Sequence, residues 1–403
     1  MRQNFDEKIL DPVSFVTGEK EVVYRLPDIP ARPPFEECAI AFLNEVSRVL
    51  LADTETKKFP DVVTFAFWIR RASLMKLKER FEETDSFRLG RGVVFHIAPS
   101  NVPVNFAYSL AAGILTGNAN IVRLPSKDFE QVKIIACAWN RALEQYEDMK
   151  PYGLLVRYGR QKEINDFFSS MADVRIVWGG DATIAELRKS SLPPRSGEIT
   201  FADRYSLAVI DGDCYLEQTD KAKVAEGFYN DTFLTDQNAC TSPRIVVWRG
   251  SRIEEAKAEF WKHLHSLVKE RYVIQPVQSV NKLTSACLIA ARMPGCRVAG
   301  AQDNLIVRVA VPEISRDLMD YKDNSGYFFE YDCADIMELR GLCDNKRCQT
   351  IAYIGDRDMF LPLIRAGVKG IDRVVPVGMT LDFDLIWDGY NLPALLTRTV
   401  AMK

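Results

Sequence analysis

Histidine is scarce in this chain of 403 residues, which contains only His96, His263 and His265. So few histidines argue against a catalytic relay built on histidine, although they do not exclude one. The chain also lacks any run of about eighteen apolar residues, and its first residues lack the apolar core of a signal peptide. The formal net charge is only -3, which argues against a nucleic-acid binder because such proteins carry a basic surface. We therefore expect a cytoplasmic protein that neither spans a membrane nor binds nucleic acid.

The cysteines follow no regular spacing, and their number, nine, is odd. In a chain without a signal peptide this pattern favours reduced thiols over a disulfide framework. Cys343 and Cys348 stand five residues apart, but no second pair of cysteines or histidines accompanies them. We therefore expect no metal site.

Short apolar segments alternate with helical segments from Arg91 onward. The first three apolar segments are RGVVFHIAP, ANIVRLP and VRIVWGG, and amphipathic stretches separate them. This alternation predicts parallel βαβ units with helices on both faces of a sheet. Ligands of such sheets bind beyond the carboxyl ends of the strands, so the residues that follow His96, Val122 and Trp178 are expected on one functional edge.

Polar residues and glycines follow each of these three predicted strands. Taken alone, each group has an ordinary explanation: a helix cap, a solvated basic face and a tight turn. No GxGxxG motif is present, so the usual dinucleotide fingerprint is absent, although a glycine turn that opens a helix attracts anions. The residues in question are Ser100, Asn101, Arg123, Ser126, Lys127, Gly179, Gly180 and Thr183.

Cys240 lies in a predicted loop between a helix and a strand, in the sequence QNACTSPR. Small neighbours leave its thiol accessible, and a nearby cation or backbone amide would lower its pKa. The alternative is an inert, buried cysteine.

Three longer segments stand in order along the chain, namely FHIAPSNVPVNFAYSLAAGILTGNANIVRLPSKDF, QNACTSPR and VVPVGMTLDFDLIWDGYNL. Together they resemble the LuxC-type acyl reductases of bacterial bioluminescence operons, a branch of the aldehyde dehydrogenase superfamily. The resemblance implies an α/β fold with two doubly wound domains, one a Rossmann-like cofactor domain and the other a catalytic domain.

The domain boundaries follow from this resemblance and from the predicted elements. Residues 1–207 are expected to hold an extended N-terminal arm, two amphipathic helices over about 35–53 and 60–81, and the cofactor domain. Residues 208–372 are expected to form the domain of the catalytic cysteine. Residues 373–403 are expected to return to the body of the protein or to join a partner subunit.

The resemblance also implies roles for individual residues. Cys240 is the nucleophile, and the amide of Asn101 donates to the oxyanion together with the backbone amide of Cys240. The remaining residues are expected to bind the cofactor. The adenosine ribose would be held by Arg123, Ser126 and Lys127. The pyrophosphate would meet Gly179, Gly180 and Thr183, and the nicotinamide ribose would be held by Glu330.

Two departures from the superfamily pattern concern the cofactor. Lys127 occupies the position of a usual glutamate and Arg123 stands nearby, which favours NADPH over NADH because two cations suit a 2′-phosphate. Glu330 lacks the usual Phe-Gly-Pro that follows such a glutamate, and the alternative is an aromatic strand with one exposed acid.

A third departure concerns the general base. The strand alignment puts Phe201 where the superfamily has a glutamate that activates water, and Glu198 stands three residues earlier. Loss of this base disfavours hydrolysis of an acyl-enzyme and favours reduction of a thioester over oxidation of an aldehyde.

The predicted function is therefore NADPH-dependent reduction of an acyl-CoA or acyl-protein thioester to the aldehyde, through an acyl group on Cys240. The resemblance implies an acyl-activating partner enzyme and a homo-oligomer of at least two chains. Three alternatives stay open: a cysteine acyltransferase without redox chemistry, an acyl-phosphate reductase and a non-catalytic subunit of an acyl-processing complex.

Overall fold

The computed structural model describes residues 7–81, 87–300 and 303–402. The chain divides into two compact units, of which unit 1 comprises Met1–Ala202 and Tyr390–Lys403 and unit 2 comprises Asp203–Gly389. In the stretches that are described, we find no helix with the length and apolarity needed to cross a membrane.

Unit 1 contains a six-stranded sheet in the order β1-β5-β4-β3-β6-β7. β1 is antiparallel to β5, and the remaining neighbours are parallel. Every residue of β3 is buried, as expected of a central strand that helices cover on both faces. The strands of the first 202 residues are β1 Ser14–Thr17, β2 Phe87–Gly90, β3 Val93–Ile97, β4 Ala119–Arg123, β5 Gly153–Arg157, β6 Val174–Trp178 and β7 Gly197–Phe201.

Eight helices accompany these strands in the described part of residues 1–202. They are α1 Lys20–Arg25, α2 Glu37–Ala52, α3 Pro60–Trp68, α4 Arg71–Phe81, α5 Asn105–Leu115, α6 Glu130–Leu143, α7 Lys162–Met171 and α8 Asp181–Leu187.

Two local predictions for this part of the chain are wrong. The arm is not simply extended, because it contains α1 and the edge strand β1, which pairs with β5. The helix predicted over 60–81 breaks at Ile69, whose backbone leaves the helical region. At the break, Asn44 on α2 accepts a hydrogen bond from the backbone amide of Arg71 at 2.9 Å, so a tertiary contact satisfies the first turn of α4.

Unit 2 contains a seven-stranded sheet in the order β10-β11-β12-β9-β8-β13-β14. β10 is antiparallel to β11, and all other neighbours are parallel. The strands of unit 2 are β8 Tyr205–Asp211, β9 Pro243–Arg249, β10 Arg297–Gly300, β11 Val307–Ala310, β12 Tyr327–Asp332, β13 Cys348–Ile354, β14 Arg373–Pro376 and β15 Ile386–Trp387.

The sheet of unit 2 separates two apolar clusters. Leu207 and Val209 of β8 belong to one cluster, whereas Ala208 and Ile210 belong to the other. This alternation means that both faces of the sheet are covered, which is the doubly wound arrangement. The helices are α9 Gly212–Glu217, α10 Lys221–Thr232, α11 Ile253–Arg271, α12 Pro276–Arg292, α13 Arg340–Cys343 and α14 Leu361–Arg365.

The C-terminal residues return to unit 1 as β16 Tyr390–Asn391, α15 Leu392–Leu396 and β17 Thr397–Val400. β17 pairs with β2 in antiparallel fashion, and the side chain of Arg91 donates to the carbonyl of Leu395 at 2.7 Å. The segment predicted as 373–403 is thus divided, because β14 completes the sheet of unit 2 before the chain reaches unit 1.

Candidate active site

The carboxyl ends of β3, β4 and β6 lie side by side in unit 1. In the parallel register, Ile97 is level with Arg123 on one side and with Val177 on the other. The predicted edge therefore exists, because parallel strands place the residues that follow them on the same side of a sheet.

Asn101 and Ser100 lie on this edge, between β3 and α5, and both are exposed. The first turn of α5 is preceded by Val104 as the N-cap residue, and no side-chain cap is formed there. The interpretation of Ser100 and Asn101 as a helix cap is therefore wrong, and neither side chain is used to begin α5.

Two cations lie at the carboxyl end of β4: Arg123 is its last residue and Lys127 follows in the next loop. The guanidinium of Arg123 lies 4.6 Å from the centre of the Tyr158 ring and donates to the carbonyl of Gly159 at 2.6 Å, so its position is fixed. Lys127 is exposed and lies 5.0 Å from the ring centre of Phe129. Ser126, also exposed, stands between the two cations in the sequence.

The glycine turn follows β6, as predicted. Gly180 is the N-cap residue of α8, and a side chain built there would meet no atom within 4 Å. A side chain at Gly179 would come within 3.2 Å of the Thr183 methyl carbon. The turn therefore leaves open space in front of the backbone, although Asp181 places a carboxylate in the first turn of α8.

Phe201 and Glu198 have structural roles in unit 1. Phe201 is buried and stacks on Trp178, with ring centroids 3.7 Å apart. The carboxylate of Glu198 binds the guanidinium of Arg175 at 2.5 Å and that of Arg188 at 2.7 Å. Neither residue has the features of a general base.

His96 is fully buried, and its two ring nitrogens lie 2.8 Å from the Ser109 hydroxyl and 2.9 Å from the Asn120 amide oxygen. Burial lowers the pKa of His96 to about 4, so the ring is neutral near pH 7. It is therefore a core histidine whose two ring nitrogens both have hydrogen-bond partners.

In unit 2, the loop before β9 that carries Cys240 is held by the side chain of Gln237. Gln237 is fully buried, and its Oε1 accepts from the amides of Gly326 at 2.8 Å and Tyr327 at 3.1 Å. Its Nε2 donates to the carbonyl of Pro243 at 3.1 Å. The buried guanidinium of Arg244 donates to the Gln237 carbonyl at 2.6 Å. Loop geometry therefore depends on these two side chains, whose roles the sequence pattern did not reveal.

Cys240 itself is half-buried, and its carbonyl accepts from the Ser206 hydroxyl at 2.7 Å. Burial raises the pKa of the Cys240 thiol to about 12, and the carboxylate of Asp388 adds to this rise. The guanidinium of Arg204, a backbone amide and the side chain of Gln349 lower the pKa. The cation and amide expected from the sequence are thus present, but desolvation outweighs them.

Asp388 is a buried acid that the sequence analysis did not single out. Its carboxylate accepts from the Nε2 of Gln349 and lies 3.9 Å from the guanidinium of Arg204, which also pairs with Asp372. Burial raises the pKa of Asp388 to about 6. Its φ of 51° lies in the left-handed region, and the only signal in the sequence was the Asp-Gly turn that it forms with Gly389.

Glu330 on β12 is buried and not an exposed acid, so that interpretation is wrong. Its Oε1 accepts from the indole nitrogens of Trp248 at 3.0 Å and Trp261 at 2.7 Å. Its Oε2 lies 3.4 Å from the guanidinium of Arg308. Three donors of unit 2 therefore engage the carboxylate, and the geometry lends no support to a role as ribose ligand.

All nine cysteines are free thiols. In residues 7–81, 87–300 and 303–402, no group of three or more His, Cys, Asp or Glu side chains is arranged to hold a metal ion.

Solved structures share this fold. Aldehyde dehydrogenase 21 from Physcomitrella patens superposes with a TM-score of 0.68 and 12% identity, over 95% of this chain and 89% of that one. A 1-pyrroline-5-carboxylate dehydrogenase from Thermus with bound NAD gives a TM-score of 0.61 and 12% identity, over 95% and 83%. The prediction of an aldehyde-dehydrogenase-like fold is confirmed.

Sequence comparison identifies the family. The long-chain acyl-protein thioester reductase of Vibrio harveyi is 26% identical over 176 residues, which are 43% of this chain and 36% of that protein. The match thus spans little more than a third of that relative. The family profile described as "Acyl-CoA reductase (LuxC)" matches residues 28–304, which is more than half of the chain. The chain therefore belongs to the LuxC acyl-CoA reductase family.

Proposed function

We propose that this protein reduces an acyl-CoA or acyl-protein thioester to the corresponding aldehyde, with NADPH as the reductant and Cys240 as the covalent nucleophile. The observation that carries the proposal is the anchored loop of Cys240 in a chain of the LuxC family. A loop fixed by Gln237 and Arg244 holds the sulfur in one place, and fixed geometry is what attack on a carbonyl carbon requires.

The first step belongs to the side chain of Cys240. Its thiolate attacks the acyl carbonyl, the bond from the carbonyl carbon to the donor sulfur breaks, and the donor leaves as a thiol that takes up a proton. An acyl thioester on Cys240 remains. Asn101 is assigned by the resemblance to donate to the oxyanion of this step, and its exposed amide is not used to cap α5.

The absence of a base at position 201 sets the fate of this acyl-enzyme. Phe201 is buried against Trp178 and cannot take a proton from water. The carboxylate of Glu198 is engaged in ion pairs with Arg175 and Arg188. Slow hydrolysis preserves the thioester for reduction to a thiohemiacetal, which releases the aldehyde and regenerates the thiol.

Cofactor binding is proposed for the edge of β3, β4 and β6. Arg123 and Lys127 would bind the 2′-phosphate, Ser126 the ribose hydroxyls and the open turn at Gly179 and Gly180 the pyrophosphate. Two cations and a turn without side chains fit an anionic dinucleotide. When bound, NADPH supplies the hydride for the acyl carbonyl. The Thermus dehydrogenase that shares this fold holds NAD, which supports a nicotinamide cofactor of some kind.

The donor and the partners are part of the same proposal. The Vibrio harveyi relative is named for acyl-protein thioesters, so we propose a protein-bound acyl group as well as acyl-CoA as donor. An acyl-activating enzyme would supply that group. We also propose a homo-oligomer in the cytoplasm, and light scattering of the purified protein measures the number of chains.

The experiment follows NADPH consumption by absorbance with acyl-CoA of short, medium and long chains and with acyl-protein donors. The wild type is compared with Cys240→Ala and with Cys137→Ala, which removes an exposed cysteine of unit 1. We expect turnover by the wild type and Cys137→Ala and none by Cys240→Ala. Acylation of Cys240 without NADPH consumption for any donor would replace the reductase with an acyltransferase, and turnover with acyl phosphates alone would replace it with an acyl-phosphate reductase.

A further inference from the structure

Ser206 lies near the start of β8, the strand that stands between β9 and β13 in the sheet of unit 2. Its side chain is fully buried, and its hydroxyl makes two hydrogen bonds. The hydroxyl donates to the carbonyl of Cys240 at 2.7 Å and accepts from the amide of Thr350 at 3.3 Å. A serine hydroxyl can do both at once, because it has one hydrogen to donate and two lone pairs to accept with.

These two hydrogen bonds lie where β8 departs from regular pairing on both sides. The register with β9 shifts between Ser206 and Leu207, and the register with β13 shifts between Cys348 and Ile351. A shift of register interrupts the regular ladder, so the backbone groups near it need other partners. The Ser206 hydroxyl is such a partner for a carbonyl of the loop before β9 and for an amide of β13.

The main chain of Cys240 is thereby held on both sides of its α-carbon. On the N-terminal side, the amide of Ser242 donates to the carbonyl of Ala239 at 3.1 Å and closes a turn around Cys240. This bond holds the peptide plane that contains the Cys240 amide. The bond from Ser206 holds the next peptide plane, which contains the Cys240 carbonyl. Because peptide groups are planar, two held planes set the backbone angles of Cys240, and with them the directions of its N–H and of its β-carbon.

We propose that Ser206 is a positioning residue for the nucleophile, and that its hydroxyl holds the main chain of Cys240 in the orientation that attack on an acyl carbonyl requires. The proposal rests on the proposed function, in which the Cys240 sulfur attacks the acyl group, and on the expectation that the Cys240 amide donates to the oxyanion. The sulfur and the amide extend from the same α-carbon, so one hydrogen bond to the carbonyl of that residue restricts both of them.

A purely structural role would tie β8 to β13 without any consequence for catalysis, and two control variants address it. Ser47→Ala makes the same substitution at a buried serine of unit 1, whose hydroxyl donates to a carbonyl of α3 at 2.6 Å. Tyr205→Phe removes the hydroxyl of the residue next to Ser206, which donates to a carbonyl of α13 at 2.8 Å. Each control loses a buried hydrogen bond to a backbone carbonyl, as Ser206→Ala does, but that carbonyl does not belong to Cys240.

The first measurement compares kcat and KM of the full-length proteins for NADPH-dependent reduction of acyl-CoA. We expect Ser206→Ala to lower kcat about tenfold or more and to keep KM within about twofold, because a displaced nucleophile slows the chemical step and leaves binding intact. Acylation, followed on tryptic peptide 224–244 with Cys240 as its single cysteine, should slow to a similar extent. Ser47→Ala and Tyr205→Phe should keep kcat within about twofold. An unchanged kcat in Ser206→Ala, or an equal loss in all three variants, would overturn the positioning role.

The second measurement needs neither acyl donor nor cofactor. Hydrogen exchange at the amide of Ser242, measured by mass spectrometry, reports how firmly the turn around Cys240 is closed. We expect this exchange to be about fivefold or more faster in Ser206→Ala than in the wild type, because the Cys240 carbonyl has lost its donor, and unchanged in Ser47→Ala. Equal exchange in Ser206→Ala and the wild type would overturn the proposal even if the protein reduces thioesters.

If Ser206→Ala does not fold, Ser206→Cys takes its place with the same comparisons, because a thiol is only slightly larger than a hydroxyl and is a weak donor. The two proposals fail separately. A wild type that neither acylates Cys240 nor consumes NADPH with any donor contradicts the reductase, and the exchange rates still decide whether Ser206 holds the main chain of Cys240. An active wild type whose Ser206 variant keeps its kcat contradicts the positioning role alone.

Discussion

Phe201 stacks face to face on Trp178 at the carboxyl ends of β7 and β6, with an interplanar angle of 16°. The two rings are buried, and a third ring, that of Tyr390, meets the edge of Phe201 at 5.6 Å. The strand alignment expects a glutamate at this position in an aldehyde dehydrogenase. The aromatic stack leaves no carboxylate at this position, and under the proposed function the missing base slows hydrolysis of the acyl-enzyme.

Introducing a carboxylate at this position should create thioesterase activity. The superfamily pattern assigns this position to the base that activates water, so we expect Phe201→Glu to hydrolyse the acyl-Cys240 intermediate at least tenfold faster than the wild type. The measurement is the lifetime of acylated peptide 224–244 by mass spectrometry after one addition of acyl-CoA without cofactor. Phe201→Gln is the control, since it is similar in size and polarity but has no base. Equal lifetimes in the two variants would contradict the role of the missing carboxylate.

The cofactor preference should depend on Lys127. Lys127→Glu restores the glutamate of the superfamily pattern, and we expect the KM for NADPH to rise about tenfold or more while the KM for NADH falls. A 2′-phosphate is repelled by the carboxylate, whereas a 2′-hydroxyl can donate to it. The control is Lys57→Glu, which makes the same charge change at another exposed lysine of unit 1. If both variants shift the two KM values alike, the effect is one of net charge and Lys127 does not contact the cofactor.

The correct predictions about the fold rest on local sequence patterns and on the general rules of parallel sheets. The edge formed after Ile97, Arg123 and Trp178 follows from strand alternation alone, since parallel βαβ units place strand ends together. The break between α3 and α4 could not be predicted, because Asn44, 27 residues away, caps the second helix.

The surroundings of Cys240 could not be predicted for the same reason. Asp388 and Gln349 are 39 residues apart in the sequence, and Gln237 meets Tyr327 across 90 residues. The periodicity of a sequence does not predict contacts between residues so far apart. Such long-range contacts form the environment that sets the pKa of the Cys240 thiol. The burial of Glu330, whose carboxylate accepts hydrogen bonds from two tryptophan indoles, could not be predicted from the sequence for the same reason.

Gln237 should be essential for the stability of unit 2 as well as for the geometry of the loop. We expect Gln237→Met to lower the free energy of unfolding by about 2–4 kcal/mol, because the amides of Gly326 and Tyr327 lose their buried acceptor. Chemical denaturation followed by fluorescence measures this change. Gln218→Met, at an exposed glutamine of unit 2, is the control and should change stability by less than about 0.5 kcal/mol. Equal stability of the two variants would show that the Gln237 hydrogen bonds do not hold the loop.

Asp231 on α10 should make stability fall as the pH rises. Its buried carboxylate accepts from the amides of Gly378 at 2.6 Å and Thr380 at 3.0 Å, yet burial raises its pKa from 3.8 to about 7. The folded state therefore keeps a proton that the unfolded state loses above about pH 4. The contribution of Asp231 to stability is fully present below pH 3.8 and is lost as the pH rises through 7.

Asp231→Asn isolates this effect, because asparagine fits the same space and does not titrate. Between pH 4 and 7 the wild type should lose stability relative to Asp231→Asn by about 1.4 kcal/mol per pH unit, a total on the order of 4 kcal/mol. Denaturation curves of both proteins across this range provide the difference, in which the titrations of all other groups cancel. A difference that does not change with pH would mean that Asp231 is already ionised at pH 4 and that its two backbone donors offset the cost of burial.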